Sequence, residues 1–137
     1  MREIKFRAWD KDNNMFYRKF AEKDEFTRSE RQVAICENGE AVFVDDNDSY
    51  GADRSNLIIQ QFTGIKDKKG VEIYEGDIVK FWVDGCAKSR TAKVKFNTER
   101  GRWILFATIG HHRDLTAEKA SKCEVIGNIY ENSELLK

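Results

Sequence analysis

Apolar and polar residues alternate in short runs along most of this chain. Residues 4–8 (IKFRA) interleave hydrophobes with basic residues, the period-2 pattern of a half-buried strand. Residues 10–14 (DKDNN) carry turn chemistry, and Met15-Phe16-Tyr17 begins a return strand, so the pattern predicts an N-terminal hairpin. A second hairpin is predicted where residues 32–36 and 41–44 flank Glu37-Asn38-Gly39-Glu40. Asn-Gly tolerates the positive φ angles of a type I′ turn. Residues 21–31 are polar with a single Phe and fit a loop or a short helix equally.

Composition shifts at residues 45–56, a polar and acidic connection. Beyond it, residues 57–62 read as a strand ending at Thr63-Gly64. Turns follow at Asp67-Lys68-Lys69-Gly70 and at Glu75-Gly76-Asp77, then a strand over 78–83 and a turn at Asp84-Gly85. Residues 91–96 (TAKVKF) alternate strictly, 97–102 form a charged turn, and 103–109 are a hydrophobic strand. Residues 114–122 suit one or two helical turns, short for a stable helix. A strand over 124–130 closes the series, and Ser133 N-caps a last turn at Glu134-Leu135-Leu136.

Short strands separated by turn signals predict a sandwich or small barrel. The expected fold is all-β (mainly β): N-terminal hairpins packed on a C-terminal small SH3-like β-barrel, with short helical turns only. The expected organisation is one domain over 1–137, with a sub-division into hairpins at 1–56 and a barrel at 57–137.

The chain is 137 residues long, room for one domain or two small β lobes. Charged residues make up 35%, above the usual quarter or so, but Lys+Arg and Asp+Glu balance at 24 each. A zero net charge exerts no global pull on nucleic acid or anionic membrane, so such binding needs a local patch. No apolar run approaches the roughly 18 residues of a membrane span, and MREIKFRAWDKD lacks the apolar region of a signal peptide. A cytoplasmic protein without membrane contact is expected. Cys36, Cys86 and Cys123 are far apart with no C-x-x-C pair, which fits reduced thiols acting as small hydrophobes. Proline is absent, which excludes a Pro-rich ligand segment.

Three blocks carry a family likeness: IKFRAWD at 4–10, QFTGIKDKKGVEIYEGDIVK at 61–80 and EVIGNIYEN at 124–132. In order and spacing they resemble the YopX family of uncharacterised phage and prophage proteins. The blocks cover about a quarter of the chain and bracket both ends. The resemblance implies a phage or prophage origin, hence the cytoplasm of a bacterial host, and a mainly β fold. It implies no activity and carries over no catalytic or binding residue. Residues 21–56 and 84–123 show no family pattern.

Four groups of residues invite a chemical reading. Glu75 and Asp77 imitate a catalytic pair, but their setting suits turn carboxylates that accept backbone N–H groups. His111-His112-Arg113-Asp114 is the sole histidine cluster. Neighbouring histidines in a strand face opposite ways, and no H-x-E or H-E-x-x-H accompanies them, so a polar loop is expected. Asp45-Asp46-Asn47-Asp48 resembles a calcium loop until Tyr50 and Leu57 fall where ligands belong. The fourth group is basic and aromatic: Lys80, Lys88, Arg90, Lys93, Lys95, Arg100 and Arg102, with Phe81, Trp82, Phe96 and Trp103, offset by Asp84 and Glu99. Alternation puts Lys93 and Lys95 on one face and Val94 and Phe96 on the other.

No P-loop, G-x-S-x-G or dinucleotide fingerprint occurs, so neither catalytic residues nor a cofactor are expected. The first functional reading is a non-enzymatic interaction module for a host or phage protein, or a homo-oligomer, using open strand edges. The alternative is a nucleic-acid-binding barrel using Lys80, Trp82, Lys88, Arg90, Lys93, Lys95, Arg102 and Trp103, which requires aromatic side chains exposed beside the lysines. A small hydrolase or metalloenzyme around His111 and His112 ranks last.

Overall fold

The computed structural model describes residues 3–17, 32–35, 40–44, 57–107 and 112–136. Backbone contacts divide the chain into two compact units: Phe6–Gln60, and Met1–Lys5 together with Gln61–Lys137.

In the Phe6–Gln60 unit, β1 (Phe6–Asp10) and β2 (Met15–Tyr17) form the expected antiparallel hairpin, with Trp9 opposite Phe16. The Asp10 carboxylate builds its turn, accepting the N–H groups of Asp12 and Asn13 at 2.9 and 3.2 Å and the Asn13 side-chain amide at 2.7 Å. Asn14 takes the left-handed conformation, φ 51°, which asparagine tolerates better than most residues. Tyr17, Leu57 and Ile59 pack around the buried Ala8. Buried Arg7 donates from Nε to Gln60 Oε1 at 2.8 Å and lays its guanidinium 4.3 Å from the centre of the Phe16 ring. A second antiparallel hairpin pairs β3 (Gln32–Ile35) with β4 (Ala41–Val44), Ile35 opposite Ala41. Its Asn38-Gly39 turn lies outside the described residues, as do residues 21–31 and 45–56.

β5 (Leu57–Lys66) does not stop at Thr63-Gly64, contrary to the sequence expectation. The strand continues through a bulge, where its register with β6 (Glu72–Tyr74) shifts between Phe62 and Lys66. Gly64, at φ 83°, supplies the conformation that a bulge requires and other residues resist. The Thr63 hydroxyl donates to the Ile73 carbonyl at 2.8 Å across the irregularity.

In the unit made of Met1–Lys5 and Gln61–Lys137, five strands form one curled antiparallel sheet in the order β10-β9-β8-β7-β11. They are β7 (Asp77–Trp82), β8 (Ser89–Asn97), β9 (Arg102–Phe106), β10 (His112–Asp114) and β11 (Cys123–Asn128). Val79 and Phe81 from β7, Ala92 and Val94 from β8, and Leu105 from β9 share the concave face, as two-residue spacing dictates. Ile73, Leu115, Ala120 and Cys123 complete this core. His112 and Arg113 were read as a polar loop; they belong to β10, where His112 pairs with Phe106. Helix α1 (Ala117–Ala120) is a single turn capped by Thr116, whose hydroxyl accepts the Lys119 N–H at 3.3 Å. The chain then ends in a 3-10 turn, Ser133–Leu136. Among the described residues no helix is long and apolar enough to cross a membrane.

Candidate functional site

The best-defined surface feature begins with a buried carboxylate. Asp67 accepts the N–H groups of Lys69 and Val71 on Oδ1 at 2.8 and 2.9 Å, and that of Val125 on Oδ2 at 2.9 Å. The Lys68 N–H donates to the Cys123 carbonyl at 3.1 Å. The 67–71 turn is thereby fastened along the outer edge of β11, and Lys68 reaches the end of β7. Trp82, the last residue of β7, is 40% exposed. The Lys68 ammonium lies 4.4 Å from the centre of its ring, and that of Lys80, two residues back on the same strand face, lies 5.5 Å away. Glu124, opposite Lys80 on β11, binds Lys69 at 2.6 Å and Lys68 at 3.2 Å. Hydrogen bonds from Lys69 and then Lys68 hold the Glu124 carboxyl below its usual range, and its reciprocal bond raises Lys69.

A second cluster lies across the same sheet. The ammonium groups of Lys93 and Lys95 stand 5.2 and 5.7 Å from the centre of the Phe106 ring, and the His112 ring lies tilted against it with centroids 5.1 Å apart. Between the clusters, the Thr91 hydroxyl donates to the Leu135 carbonyl at 3.4 Å, bringing the 3-10 turn against β8. The single basic constellation read from the sequence is therefore two.

The zero net charge also conceals a division. The unit made of Met1–Lys5 and Gln61–Lys137 holds sixteen Lys+Arg against twelve Asp+Glu, and the Phe6–Gln60 unit eight against twelve. The local positive balance that nucleic-acid binding requires exists in one unit and is cancelled by the other only in the sum.

A family model described as YopX protein matches residues 5–137. The chain belongs to the YopX family. Solved structures similar to it include protein EF1440 from Enterococcus faecalis, 25% identical with a TM-score of 0.61, and protein yopX from Bacillus subtilis, 24% identical with a TM-score of 0.61. Each similarity covers 100% of both chains. No curated protein is significantly similar. The shared YopX fold thus comes with no residue role attached, and the site rests on its own geometry.

The remaining sequence candidates fall out as follows in this YopX chain. Lys88 and Arg90 are exposed at the start of β8 and touch neither ring cluster. Arg102 is engaged by Asp114 at 2.7 Å. Trp103 is half-buried against the core and meets the edge of Phe96 at 5.0 Å. Phe96 is on the core-facing side, as alternation required, but sits at the rim and is 38% exposed. Asp77, 1% exposed, accepts the Tyr74 N–H at 2.8 Å and the Asn128 side-chain amide at 3.3 Å, the turn role expected of it. Cys86 is exposed; Cys123 is buried, donates its thiol to the Lys119 carbonyl at 3.1 Å, and is pushed up in pKa first by burial and then by Asp67. Cys36, His111 and the 45–48 acidic run lie outside the described residues. Among the described residues no group of three or more His, Cys, Asp or Glu is arranged to hold a metal ion. Sequence reasoning missed Lys68, Lys69 and Phe106. The lysines stand inside the 61–80 family block, and only the fold of the turn shows that Lys68 reaches Trp82 and Lys69 reaches Glu124.

Proposed function

We propose that this YopX-family chain is a non-enzymatic, phage- or prophage-borne protein of the bacterial cytoplasm whose barrel unit binds single-stranded nucleic acid. The observation that carries the reading is Trp82, 40% exposed with the ammonium groups of Lys68 and Lys80 against its ring. An exposed ring flanked by cations is the element with which small β-barrels hold a single strand: bases stack on the ring while cations follow the phosphates. A lysine over an exposed ring contributes only about 0.5–1 kcal/mol, whereas a stacked base contributes about 1–3 kcal/mol. An arriving base therefore displaces Lys68 from the ring, and its ammonium is then shared between Glu124 and the phosphate.

Binding a protein by strand addition has less support at the β11 and β6 edges of this unit. The outer edge of β11 is occupied by the 67–71 turn. In β6, the Ile73 carbonyl and Tyr74 N–H are taken by Thr63 and Asp77.

The test is fluorescence anisotropy with labelled oligo(dT). Two lysines, Lys68 and Lys80, reaching phosphates predict a slope of log K on log salt of about −1.4, at about −0.7 per contact. Trp82→Ala is expected to weaken binding about tenfold, and Lys80→Glu to flatten the slope. Absence of binding near 50 mM salt, or affinity indifferent to Trp82→Ala, refutes the reading. A nuclease-resistant protein partner, or a second copy of the chain, held through Trp82 without any oligonucleotide binding would replace it.

A further inference from the structure

Trp82 and Phe106 stand on one face of the five-stranded sheet, and strand register places them there. Trp82 is opposite Ser89 on β8, and Lys80 is opposite Thr91. Ser89, Thr91, Lys93 and Lys95 share that face by two-residue spacing. Lys93 is opposite Phe106 on β9, and Phe106 is opposite His112 on β10. Val79, Phe81, Ala92, Val94 and Leu105 lie on the other face, in the core. We propose that Phe106 is a second base-stacking station, engaged by the same single strand that stacks on Trp82, a deepening that rests on the single-strand reading of Trp82.

The Phe106 station repeats the chemistry of the first. Its ring is half-buried, with the Lys93 and Lys95 ammonium groups 5.2 and 5.7 Å from its centre. The exposed His112 ring, tilted 30° to Phe106, extends the aromatic surface. A recess of about 240 Å³ opens beside the two rings, and Lys95, Asn97, Ile104, Phe106 and His112 line it from the Trp82 side of the sheet. Glu99 is the one carboxylate among its lining residues. Lys93 and Lys95 outnumber it, so positive charge prevails where phosphates would pass. A base displaces these lysines from the ring for the same reason that it displaces Lys68 from Trp82: stacking is the stronger contact.

The spacing fits one strand. Four residues along β8 and two strand spacings across the sheet separate Trp82 from Phe106 by about 16 Å. A stacked strand advances about 3.4 Å per nucleotide, so about five nucleotides span the gap. That is within the roughly 4–16 nucleotides that one small OB-type barrel occupies. The 3-10 turn Ser133–Leu136 stands against Thr91, between the two residues. The connecting nucleotides therefore arch over the turn, and a strand too short to do so reaches one ring only.

The experiment measures binding of oligo(dT) of about four and about twelve nucleotides to the whole chain, by anisotropy at a series of salt concentrations. The longer strand reaches Lys68, Lys80, Lys93 and Lys95, so its slope of log K on log salt is expected near about −2.8, against about −1.4 for the shorter. Phe106→Ala is expected to weaken the longer strand about tenfold and to leave the shorter within about twofold. Lys95→Gln changes an exposed side chain without touching the core, and is expected to flatten the longer strand's slope by about 0.7. If Phe106→Ala does not fold, Lys95→Gln alone decides. Equal slopes for the two lengths, or longer-strand binding that neither variant alters, overturns the second station; a response to Trp82→Ala then leaves the first standing. Two longer strands bound per chain overturns the shared path. Binding of neither length overturns both readings.

Discussion

Replacing Asp67 tests whether the turn under Trp82 is held as described. The carboxylate is nearly buried and accepts three backbone N–H groups, two from its own turn and one from β11. In Asp67→Ala the Lys69 and Val71 donors regain water, because both residues are exposed. The Val125 donor sits in a half-buried strand and regains it poorly. An unsatisfied buried donor costs about 1–3 kcal/mol, and each lost bond to a charged acceptor somewhat less in the open turn, so a total near 3 kcal/mol is expected. Asp67→Asn keeps one oxygen for the two turn donors and puts an amide nitrogen against Val125, so about half that loss is expected. With a urea dependence of about 1 kcal/mol per molar for a unit of this size, the midpoint of Asp67→Ala falls by roughly 2–3 M. Oligo(dT) affinity falls with it even where the variant remains folded, since Lys68 loses its fixed approach to the ring. A loss below about 1 kcal/mol, or equal losses for Ala and Asn, would show that the turn does not depend on this carboxylate.

Two further outcomes follow from other parts of the chain. Burial pushes the Asp10 carboxyl up, but hydrogen bonds from Asn13, Asp12 and Tyr17 outweigh it and its pKa lies below the ordinary 3.8. A carboxyl lowered on folding stabilises fully above its unfolded pKa and loses that contribution as pH falls through the folded value. Urea midpoints measured from about pH 5 down to about pH 2 should therefore drop less steeply for Asp10→Asn than for the wild-type chain; identical acid slopes would exclude this role for Asp10. Where the register of β11 on β7 shifts between Val125 and Gly127, a Cβ on Gly127 would lie 2.6 Å from Asn132 Oδ1, the atom that accepts the Asn128 N–H at 3.3 Å. Gly127→Ala should cost about 1–2 kcal/mol by displacing that side chain, and adding it to Asn132→Ala should cost little more, a non-additivity read by a double-mutant cycle.

The elements were legible because they depend on neighbours in sequence. Strict alternation over 91–96 marks β8, the polar run 10–14 marks the first turn, and the stretches 114–122 and 134–136 mark the two helical turns near the end. Errors came where a tertiary partner overrides the local signal. Thr63-Gly64 reads as a stop, yet β6 supplies a pairing partner beyond it, and a glycine bulge costs less than ending the ladder. His112 and Arg113 read as loop because they are polar, yet β9 offers an edge to pair with.

The candidate site divides in the same way. Residue types were readable: an aromatic-rich, basic stretch over 80–103. Which rings meet which lysines was not. Lys68 reaches Trp82 because Asp67 binds Val125, 58 positions further along the chain. Arg102 leaves the group because Asp114 arrives on β10, and Phe106 joins because the β8–β9 register sets it opposite Lys93. The sequence by itself determined the strand character, the turns and the family, since φ preferences and two-residue periodicity act over a few residues. The tertiary structure alone decided the register, the closure of the β11 edge and the exposure of Trp82. Those follow from hydrogen bonds and packing between segments far apart in the chain, and no local pattern encodes the pairing.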